Sequence, residues 1–378
     1  MPPASATSVL QSHIETAIKN NGGWLPFDRF MALALYAPGL GYYANDLRKF
    51  GLFPAKDVVT GSDFVTAPEL TPLFGQTLAK QIAQALQHTQ TSEIWEFGAG
   101  SGALALQLLV ALEQLGQPVS RYTIVDLSGS LRQRQQETLL MFGDKVHWAN
   151  ELPDAMQGVV VGNEVLDAMP VKLLARVKGE WYERGVIVTP EHAFDWQDRP
   201  SELRPPLDIM GEHDYLTEIH PQAEAFMRTL AQKLTSSKQG GAAFFIDYGF
   251  PEAEYFHPQR HMGTVMCHQG HLADGDPLAQ VGRKDITAHV NFTGVAVAAQ
   301  GDEKEVGLNV LGYASQGRFL LNCGLHLTLE DADLPNRTHA MKLINEHEMG
   351  ELFKVIGFCT GEPWDAIGFS AGDRTHTL

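Results

Sequence analysis

The amino-acid sequence predicts an α/β fold, in which helices cover both faces of a mostly parallel sheet. From residue 93 onward, short apolar runs of strand length alternate with segments of helical spacing, which is typical of a parallel sheet. The first apolar run leads directly into a glycine-rich turn at 98–102 and then into a helix. A later apolar run at 242–247 has the length of a buried strand, and 349–361 is expected to return a last strand to the sheet.

Caps, turns and breakers in the sequence bound the individual elements. An apolar stripe at helical spacing ends at 21–23 with Asn-Gly-Gly, and Thr66 and Glu69 have the spacing of a capping box. Lys-Gly at 178–179 predicts the turn of a hairpin, and Asn291 is expected to cap a helix. The predicted helices cover 9–18, 26–35, 66–88 (or 71–88, because of Pro72), 103–115, 131–142, 222–234 and 291–299. The predicted strands cover 93–97, 122–126, 146–148, 159–161, 171–177, 181–188, 242–247, 308–311 and 349–361.

Two long segments show no clear period. Residues 190–215 contain four prolines and predict an irregular insertion. Residues 249–284 are rich in His, Gly and Asp and predict a long loop. A loop of that length in a compact domain is often a lid or a binding loop.

Composition and charge exclude several classes of protein. With 44% hydrophobic and 19% charged residues the chain has the composition of a globular protein. Its net charge of -17, without a basic block, makes nucleic acid an unfavourable partner. The three cysteines are far apart and form no CxxC pair, which argues against a disulfide framework or a zinc-thiolate site. No apolar run is long enough to predict membrane insertion, and no signal or transit peptide is evident. We therefore expect a cytoplasmic protein.

The segment with the clearest chemistry is the turn after the first strand, WEFGAGSGALALQLL at 95–109. Glycines at the start of a helix let a ligand approach the backbone, and the helix N-terminus favours negative charge. Asp126 ends the next strand, where a carboxylate can accept hydrogen bonds from both hydroxyls of a ribose. These two features fit NAD almost as well as S-adenosylmethionine. Glu96, two residues before Gly98, favours S-adenosylmethionine, because NAD-binding turns usually carry an apolar residue there.

Six further segments carry a resemblance to a known family. They are PFDRFMALALYAPGLGYYAN at 26–45, DFVTAPELTPLFGQTLA at 63–79, NEVLDAMPV at 163–171, IDYGF at 246–250, GRKDITAHVNFT at 282–293 and QGRFLLNCG at 316–324. Together they closely resemble the MidA-like class I S-adenosylmethionine-dependent methyltransferases, over roughly residues 10–370. This family includes the mitochondrial complex I assembly arginine methyltransferase and bacterial relatives. Two departures from its pattern are Asn291, where the family usually has an acidic residue, and the Arg283-Lys284 pair.

The resemblance implies a Rossmann-like class I methyltransferase fold with a seven-stranded, mostly parallel sheet. It implies an N-terminal helical segment with a cofactor-covering loop at 1–90 and a methyltransferase core at 91–177 and 240–378. Insertions at 178–239 and 250–290 would form a substrate-side subdomain. S-adenosyl-L-methionine is the expected cofactor and S-adenosyl-L-homocysteine the expected product.

The implied activity is methylation of a protein arginine, which the mitochondrial member dimethylates symmetrically in a complex I subunit. The expected partner is a protein with an accessible arginine, and a homodimer is compatible with the sequence. Three alternatives stay open. They are a non-catalytic S-adenosylmethionine-binding assembly factor or chaperone for a respiratory-type complex, a small-molecule methyltransferase, and an NAD-dependent oxidoreductase, against which Glu96 and the family motifs argue.

The predicted site residues follow from the motifs and the resemblance. The expected cofactor-binding residues are Thr66, Pro68, Glu69, Glu96, Gly98, Gly100, Gly102, Asp126, Leu127 and Asn163. Glu164 and Asp167 are the expected catalytic residues, because they follow an apolar strand at the edge where α/β sheets bind ligands. One turn of helix would bring Asp167 to the same side as Glu164. Alternatively, Asp167 caps the next element and Glu164 pairs structurally with an arginine.

Other polar and aromatic residues leave more than one interpretation. Tyr42 and Tyr43 could line the substrate entrance or pack under the N-terminal helices. Asp285 and His289 are candidates for substrate contacts or for a structural pair. Five residues in the long loop could suggest a metal site, but prolines and glycines break their spacing and arginine methylation needs no metal, so we expect none. They are His257, His261, Cys267, His268 and His271.

Overall fold

The computed structural model describes residues 6–45, 66–126, 129–270, 272–301 and 306–378. The α-helices of these ranges are α1 (Ala6–Asn20), α2 (Phe27–Tyr36), α3 (Ala67–Leu70), α4 (Leu73–Thr89), α5 (Ala103–Gln114), α6 (Gly129–Thr138), α7 (Pro221–Thr235), α8 (Glu252–Tyr255), α9 (Phe292–Gln300), α10 (Gln316–Asn322), α11 (Leu325–Asp331), α12 (Leu334–Ile344) and α13 (Met349–Leu352). Short 3₁₀ helices cover Leu140–Lys145, Ile367–Phe369 and Thr375–Thr377.

The strands of the same ranges form three sheets. They are β1 (Leu25–Pro26), β2 (Glu93–Phe97), β3 (Arg121–Val125), β4 (Val146–Ala149), β5 (Gly158–Asn163), β6 (Lys172–Val177), β7 (Glu180–Val188), β8 (Phe194–Pro200), β9 (Tyr215–Ile219), β10 (Gly241–Phe250), β11 (Met266–Gln269), β12 (Leu272–Asp274), β13 (Asp285–Thr287), β14 (Val290–Asn291), β15 (Asn309–Ser315) and β16 (Phe353–Cys359).

The main sheet has seven strands in the order β15-β16-β10-β5-β2-β3-β4, and β14 also pairs with β10. Strands β2, β3, β4, β5 and β10 run parallel, whereas β16 is antiparallel to both of its neighbours. The seven-stranded, mostly parallel sheet predicted from the sequence is therefore confirmed.

Apolar cores on both faces explain the continuous apolar runs of the central strands. Val159 and Val161 point into the core beneath α4 and α5, and Val160 points into the opposite core beneath α7 and α9. A strand buried on both faces needs apolar residues at every position, whereas a strand with one solvent-exposed face alternates apolar and polar residues. The run Gly-Val-Val-Val in β5 has the continuous apolar pattern of a strand buried on both faces.

The second sheet is antiparallel, with the order β1-β7-β6-β9 and with β8 paired to β7. Helices α1 and α2 pack on it around a third core that includes Phe27, Phe30 and Leu173. The turn between β6 and β7 has Lys178 at φ 52° and Gly179 at φ 85°, the backbone signature of a tight hairpin. Strands β12, β11 and β13 form a small third sheet.

Several elements differ from the sequence prediction. Residues 190–215 are not irregular throughout, since they include β8, and 249–284 include α8, β11 and β12. Helices α10 to α12 lie between β15 and β16, where the sequence predicted no helix. These elements are short, and cross-strand or helix-packing partners, rather than local periodicity, decide their conformation. Asn291 caps α9 as expected, because its side chain accepts a hydrogen bond from the Gly294 amide.

The predicted domain division stays a prediction. The structure places two elements in other units than the predicted division does. β6 belongs to the second sheet rather than to the core, and α7 packs against β10 and α9 beside the main sheet rather than in an insertion. Over the described ranges, every helix is too short or too polar to cross a membrane.

Candidate active site

A cavity of about 720 Å³ opens at the carboxyl ends of the central parallel strands. Nine of the predicted site residues line it, namely Thr66, Pro68, Glu69, Glu96, Gly98, Gly100, Asp126, Asn163 and Glu164. Gly102 and Asp167 lie in the adjoining turns and do not line it. Leu127 lies outside the described residues. Helix α2 and β6 complete the cavity with residues that include Asp28, Tyr36 and Lys172.

The glycine turn presents its backbone to the cavity. Gly98, Gly100 and Gly102 have φ values of 63°, 52° and 84°, in the region that side chains other than glycine rarely adopt. A Cβ atom on Gly98 would also lie 3.1 Å from the Val165 side chain. Gly102 is the N-cap of α5, so the positive end of that helix faces the turn.

Glu96 lines the cavity and is almost fully buried. Its carboxyl accepts a hydrogen bond of 2.7 Å from the Tyr122 hydroxyl. Burial raises the pKa of the Glu96 carboxyl to about 8, against the lowering effect of the Tyr122 hydrogen bond. A cation that binds beside Glu96 would favour its ionised form.

Asp126 is held by Gln135, a residue that the sequence prediction missed. The Gln135 side-chain amide donates to Asp126 Oδ2 at 2.8 Å and to the Gly100 carbonyl at 3.0 Å, and its oxygen accepts from Trp148 Nε1 at 2.9 Å. Gln135 is fully buried and thus ties the glycine turn to the acidic strand end. Its helix is polar and shows no special spacing, so the sequence carries no signal that distinguishes Gln135 from its neighbours.

The substitution Gln135→Met tests this arrangement. It keeps the length of the side chain but removes three hydrogen bonds, so we expect a loss of stability of about 2 kcal/mol or more. We also expect ligand binding in the cavity to weaken about tenfold, because Asp126 and the glycine turn lose their common support. Thermal unfolding and calorimetric titration measure the two effects, with the exposed Gln136→Met as the matched control. Unchanged binding in a folded Gln135→Met protein would contradict this role.

The segment 66–70 packs against the glycine turn instead of forming the predicted capping box. The Thr66 side chain makes no cap hydrogen bond, and the Glu69 carboxylate accepts from the Ser101 hydroxyl. Gln107 on α5 donates to the Pro68 carbonyl at 2.7 Å. The capping box is therefore wrong, because a partner from the glycine turn occupies the carboxylate that the helix would need.

Glu164 follows β5 with an unusual backbone. Its φ of 54° is in the left-handed region, and its amide donates to the Ile246 carbonyl at 2.9 Å. The Asn163 side-chain amide donates to Glu164 Oε1 at 3.0 Å. Burial raises the pKa of the Glu164 carboxyl to about 8, and the Asp167 carboxylate contributes to this rise. A strained, buried carboxyl on a cavity wall is a common property of functional residues.

The turn from Glu164 to Asp167 is not the helical turn that the sequence suggested. Asp247 Oδ2 accepts from the amides of Val165, Leu166 and Asp167 at 3.1, 2.9 and 3.3 Å and fixes the turn. Asp167 is buried behind Glu164, and burial raises its pKa to about 6. Among the described residues, its Oδ1 has no hydrogen-bond partner.

The two neighbouring tyrosines of the N-terminal segment have different positions. Tyr42 is buried in the third core, whereas Tyr43 lines the cavity and donates to Asp285 Oδ2 at 2.8 Å. The His289 ring packs edge-on against Tyr248 and Phe250, and burial lowers its pKa to about 4.

The histidines of 257–271 do not converge in the part of the chain that the structure describes. There, no group of three or more His, Cys, Asp or Glu side chains is arranged to hold a metal ion. The ring of His213 contacts that of His261, and its Nε2 donates to the Pro258 carbonyl at 3.0 Å, which is a packing role. His271 lies outside the described residues.

The cavity has the chemistry of a site for a nucleoside with a cationic end. It combines a glycine turn without side chains, an acidic strand end at Asp126 and a buried carboxyl at Glu96. Asn163 Oδ1 is buried and has no partner within the described ranges, so an acceptor for a ligand amine is present. The residues thus fit the sulfonium cofactor that the sequence implied.

Comparisons with known proteins decide between the cofactors that the glycine turn left open. The family model for S-adenosyl-L-methionine-dependent methyltransferases matches residues 77–314, which is more than half of the chain. The chain belongs to this family, the MidA-like methyltransferases. S-adenosyl-L-methionine is accordingly the cofactor of this MidA-like methyltransferase.

Solved structures support the same conclusion. A protein from Burkholderia thailandensis, crystallised with bound S-adenosyl-homocysteine, is 47% identical, with a TM-score of 0.92 over 100% of this chain and 99% of that chain. A native crystal structure from the same organism is 46% identical with a TM-score of 0.88. The fold is therefore shared with both proteins, and the first of them binds the expected product of the cofactor.

More distant relatives carry a named activity. The mitochondrial protein arginine methyltransferase NDUFAF7 of Danio rerio is 27% identical over 86% of this chain and 81% of its own length. The Homo sapiens protein of the same name is 24% identical over 94% of this chain and 84% of its own length. The named activity is that of these relatives, which share about a quarter of their residues with this MidA-like methyltransferase.

Proposed function

We propose that this MidA-like methyltransferase methylates an arginine side chain of a protein. The proposal rests mainly on Glu164, which has a strained backbone and lines the same cavity as the glycine turn. The neighbouring Asp167 carboxylate interacts electrostatically with the Glu164 carboxyl. Carboxylates suit a guanidinium because they bind it with parallel hydrogen bonds of fixed geometry. The printed names of the mitochondrial relatives support the same acceptor.

The proposed cofactor contacts follow from the cavity wall. Asp126 would accept hydrogen bonds from the two ribose hydroxyls. Glu96 and Asn163 would face the amino-acid end, since each offers a buried acceptor to an ammonium group. The remaining proposed contacts are Thr66, Pro68, Glu69, Gly98 and Gly100 on the cavity wall. Gly102 in the adjoining turn and Leu127, which lies outside the described residues, complete the proposed set.

The proposed mechanism assigns one task to each carboxyl. When bound, the cofactor supplies an electrophilic methyl group. Glu164 would orient the guanidinium and draw its positive charge toward one nitrogen, which leaves the nitrogen at the methyl group more nucleophilic. Methyl transfer would form the new N–C bond as the C–S bond breaks, and the released guanidinium proton would pass to the ionised Glu164. Asp167, whose carboxylate raises the pKa of Glu164 in the free enzyme, would add a second negative charge that attracts the guanidinium. Alignment of the reacting atoms can contribute roughly 7–11 kcal/mol.

An experiment with isotope-labelled S-adenosyl-L-methionine tests the proposal. Purified protein is incubated with the cofactor and a cell extract, and labelled residues are identified by mass spectrometry after digestion. We expect label in methylarginine, and its absence in a parallel reaction with the Glu164→Gln protein. Label on lysine or only on small molecules would contradict the proposal and favour another methyl acceptor. Partner binding without any turnover would favour the assembly-factor alternative.

The activity is expected to depend on pH through Glu164. Because the pKa of this carboxyl is about 8, it is protonated and neutral below that pH in the free enzyme. Arginine stays cationic throughout, so only the ionised Glu164 pairs with it. We expect kcat/KM to rise about tenfold per pH unit below pH 8 and to level off above.

The profile is measured from about pH 6 to 9, with a Glu164→Gln protein as the comparison. The variant should show a flat profile at a low rate. A wild-type profile that is flat or falls with pH would contradict the assignment.

Three further points are proposals of the same kind. The second sheet with its flanking helices would form the substrate-side subdomain, since α2 and β6 contribute Asp28 and Lys172 to the cavity. These two side chains form an ion pair of 3.1 Å at the wall. A respiratory-complex subunit as acceptor, a cytoplasmic location and a homodimer follow from the sequence expectations alone.

A further inference from the structure

Two tyrosines form an aromatic wall in the part of the cavity that the N-terminal segment contributes. The rings of Tyr36 and Tyr43 stack with centroids 5.6 Å apart and planes inclined by 16°. Both residues line the cavity, together with Glu164 and Ala168, and both are only partly buried. Neither belongs to the glycine turn or to the acidic strand end, so the cofactor contacts described above do not require this wall.

Hydrogen bonds hold both rings in place. The Tyr36 hydroxyl donates to the Ala168 carbonyl at 2.8 Å, in the turn that follows Glu164. The Tyr43 hydroxyl donates to Asp285 Oδ2 at 2.8 Å, and Asp285 is only 1% exposed on β13. The aromatic wall is thus fixed from two different elements of the fold.

The surroundings of this wall favour a cation. Burial raises the pKa of both tyrosines well above the usual range, and the carboxylate of Asp285 adds to the rise in each case. Both phenols are therefore neutral and act as donors. Asp167 also contributes to the raised pKa of both hydroxyls and Asp126 to that of Tyr36, so the negative field of nearby carboxylates reaches both neutral phenols.

We propose that Tyr36 and Tyr43 form the stacking wall for the guanidinium of the acceptor and that Asp285 is the positioning residue that holds Tyr43. This inference rests on the proposed arginine methylation. A planar guanidinium can stack on a tyrosine face while its edge donates to a carboxylate, here Glu164. A lysine ammonium is compact and has no plane to stack, so the wall selects arginine over lysine.

Variants of Tyr43 and Asp285 test the proposal with an acetylated and amidated Gly-Arg-Gly peptide. Tyr43→Leu removes the ring, and we expect KM for the peptide to rise about tenfold with a much smaller change in kcat. The dissociation constant of S-adenosyl-L-homocysteine should stay within about twofold of wild type, because neither tyrosine belongs to the glycine turn or to the acidic strand end. Tyr182→Leu, on β7 outside the cavity lining, is the matched control and should leave KM unchanged.

A double-variant cycle tests the positioning role of Asp285. Tyr43→Phe and Asp285→Ala should each raise KM, and the double variant should raise it no further, because both remove the same hydrogen bond. Asp285→Asn keeps an acceptor for the Tyr43 hydroxyl and should restore most of the wild-type KM. Additive effects, or a failure of Asp285→Asn to restore KM in a folded protein, would overturn the role of Asp285.

The outcomes separate this inference from the proposed function. If Tyr43→Leu methylates arginine with an unchanged KM, the role of the aromatic wall is contradicted, whereas the proposed function is not. Equal transfer to the corresponding Gly-Lys-Gly peptide would overturn the selection of a planar cation. If wild-type protein binds S-adenosyl-L-homocysteine but transfers no methyl group to arginine, both the aromatic wall and the proposed function are overturned.

Discussion

Glu164→Gln is expected to lower kcat for methyl transfer by about three orders of magnitude. Glutamine keeps the shape of the side chain and an oxygen that can accept from Asn163. It cannot carry the negative charge that orients the guanidinium, and it cannot receive the released proton. The loss should therefore fall on the chemical step, while the glycine turn and Asp126 continue to bind the cofactor.

Steady-state kinetics and calorimetric titration together measure this prediction. The dissociation constant of S-adenosyl-L-homocysteine should be unchanged within about twofold. The midpoint temperature of thermal unfolding should stay the same or rise, because a buried carboxyl with a raised pKa is replaced by a neutral amide. The matched control is Glu137→Gln, an exposed position on α6, which should keep wild-type kcat. An active Glu164→Gln protein would remove Glu164 from the mechanism.

Asp126→Ala is expected to weaken binding of S-adenosyl-L-methionine by about two to three orders of magnitude. The substitution removes a carboxylate at the end of β3 that lines the cavity and would accept two hydrogen bonds from the ribose. Hydrogen bonds to charged groups contribute about 1.5–3 kcal/mol each, and about 1.4 kcal/mol corresponds to a factor of ten in affinity. The loss of the Gln135 contact at 2.8 Å adds to the effect.

Titration with S-adenosyl-L-methionine, S-adenosyl-L-homocysteine and NAD measures this prediction. Wild-type protein should bind the two sulfur ligands and not NAD, and Asp126→Ala should lose both to a similar degree. Asp144→Ala, at an exposed position in the 3₁₀ helix after α6, controls for the loss of one negative charge and should bind normally. Normal binding by Asp126→Ala would show that the acidic strand end does not hold the ribose.

Local sequence features were sufficient to predict the central sheet and the position of the cavity. The apolar runs within β5 and β10 are continuous because both faces of these strands are buried, and this pattern distinguishes them from surface strands. The glycines at 98–102 require positive φ values, which no other residue adopts readily. Their position after a strand therefore also indicated where a ligand approaches the backbone.

Local features did not predict the residues that support the site from a distance. Gln135 reaches Asp126 and Gly100 from another helix, and Asp247 fixes the turn after Glu164 from another strand. Gln135 lies in no recognisable local pattern. Asp247 lies in the IDYGF segment at 246–250, but that segment does not show what its carboxylate contacts, because its partners are far away along the chain. The capping box at Thr66 and Glu69 was wrong for the same reason, since Ser101 provides a partner that local spacing does not show.

The order of the residues is enough to predict the sheet, the glycine turn, the family resemblance and which carboxylates end the strands. Those properties depend on the period of burial and on backbone conformations that few residues can adopt. Three other relations become visible only in the folded chain. Asp167 is buried outside the cavity lining although Glu164 lines it, and Tyr43 lines the cavity although Tyr42 is buried. Asp285 accepts the hydrogen bond of the Tyr43 hydroxyl. These relations arise from packing between α2, β13 and the main sheet, and contacts between segments far apart in the chain leave no periodic trace in the sequence.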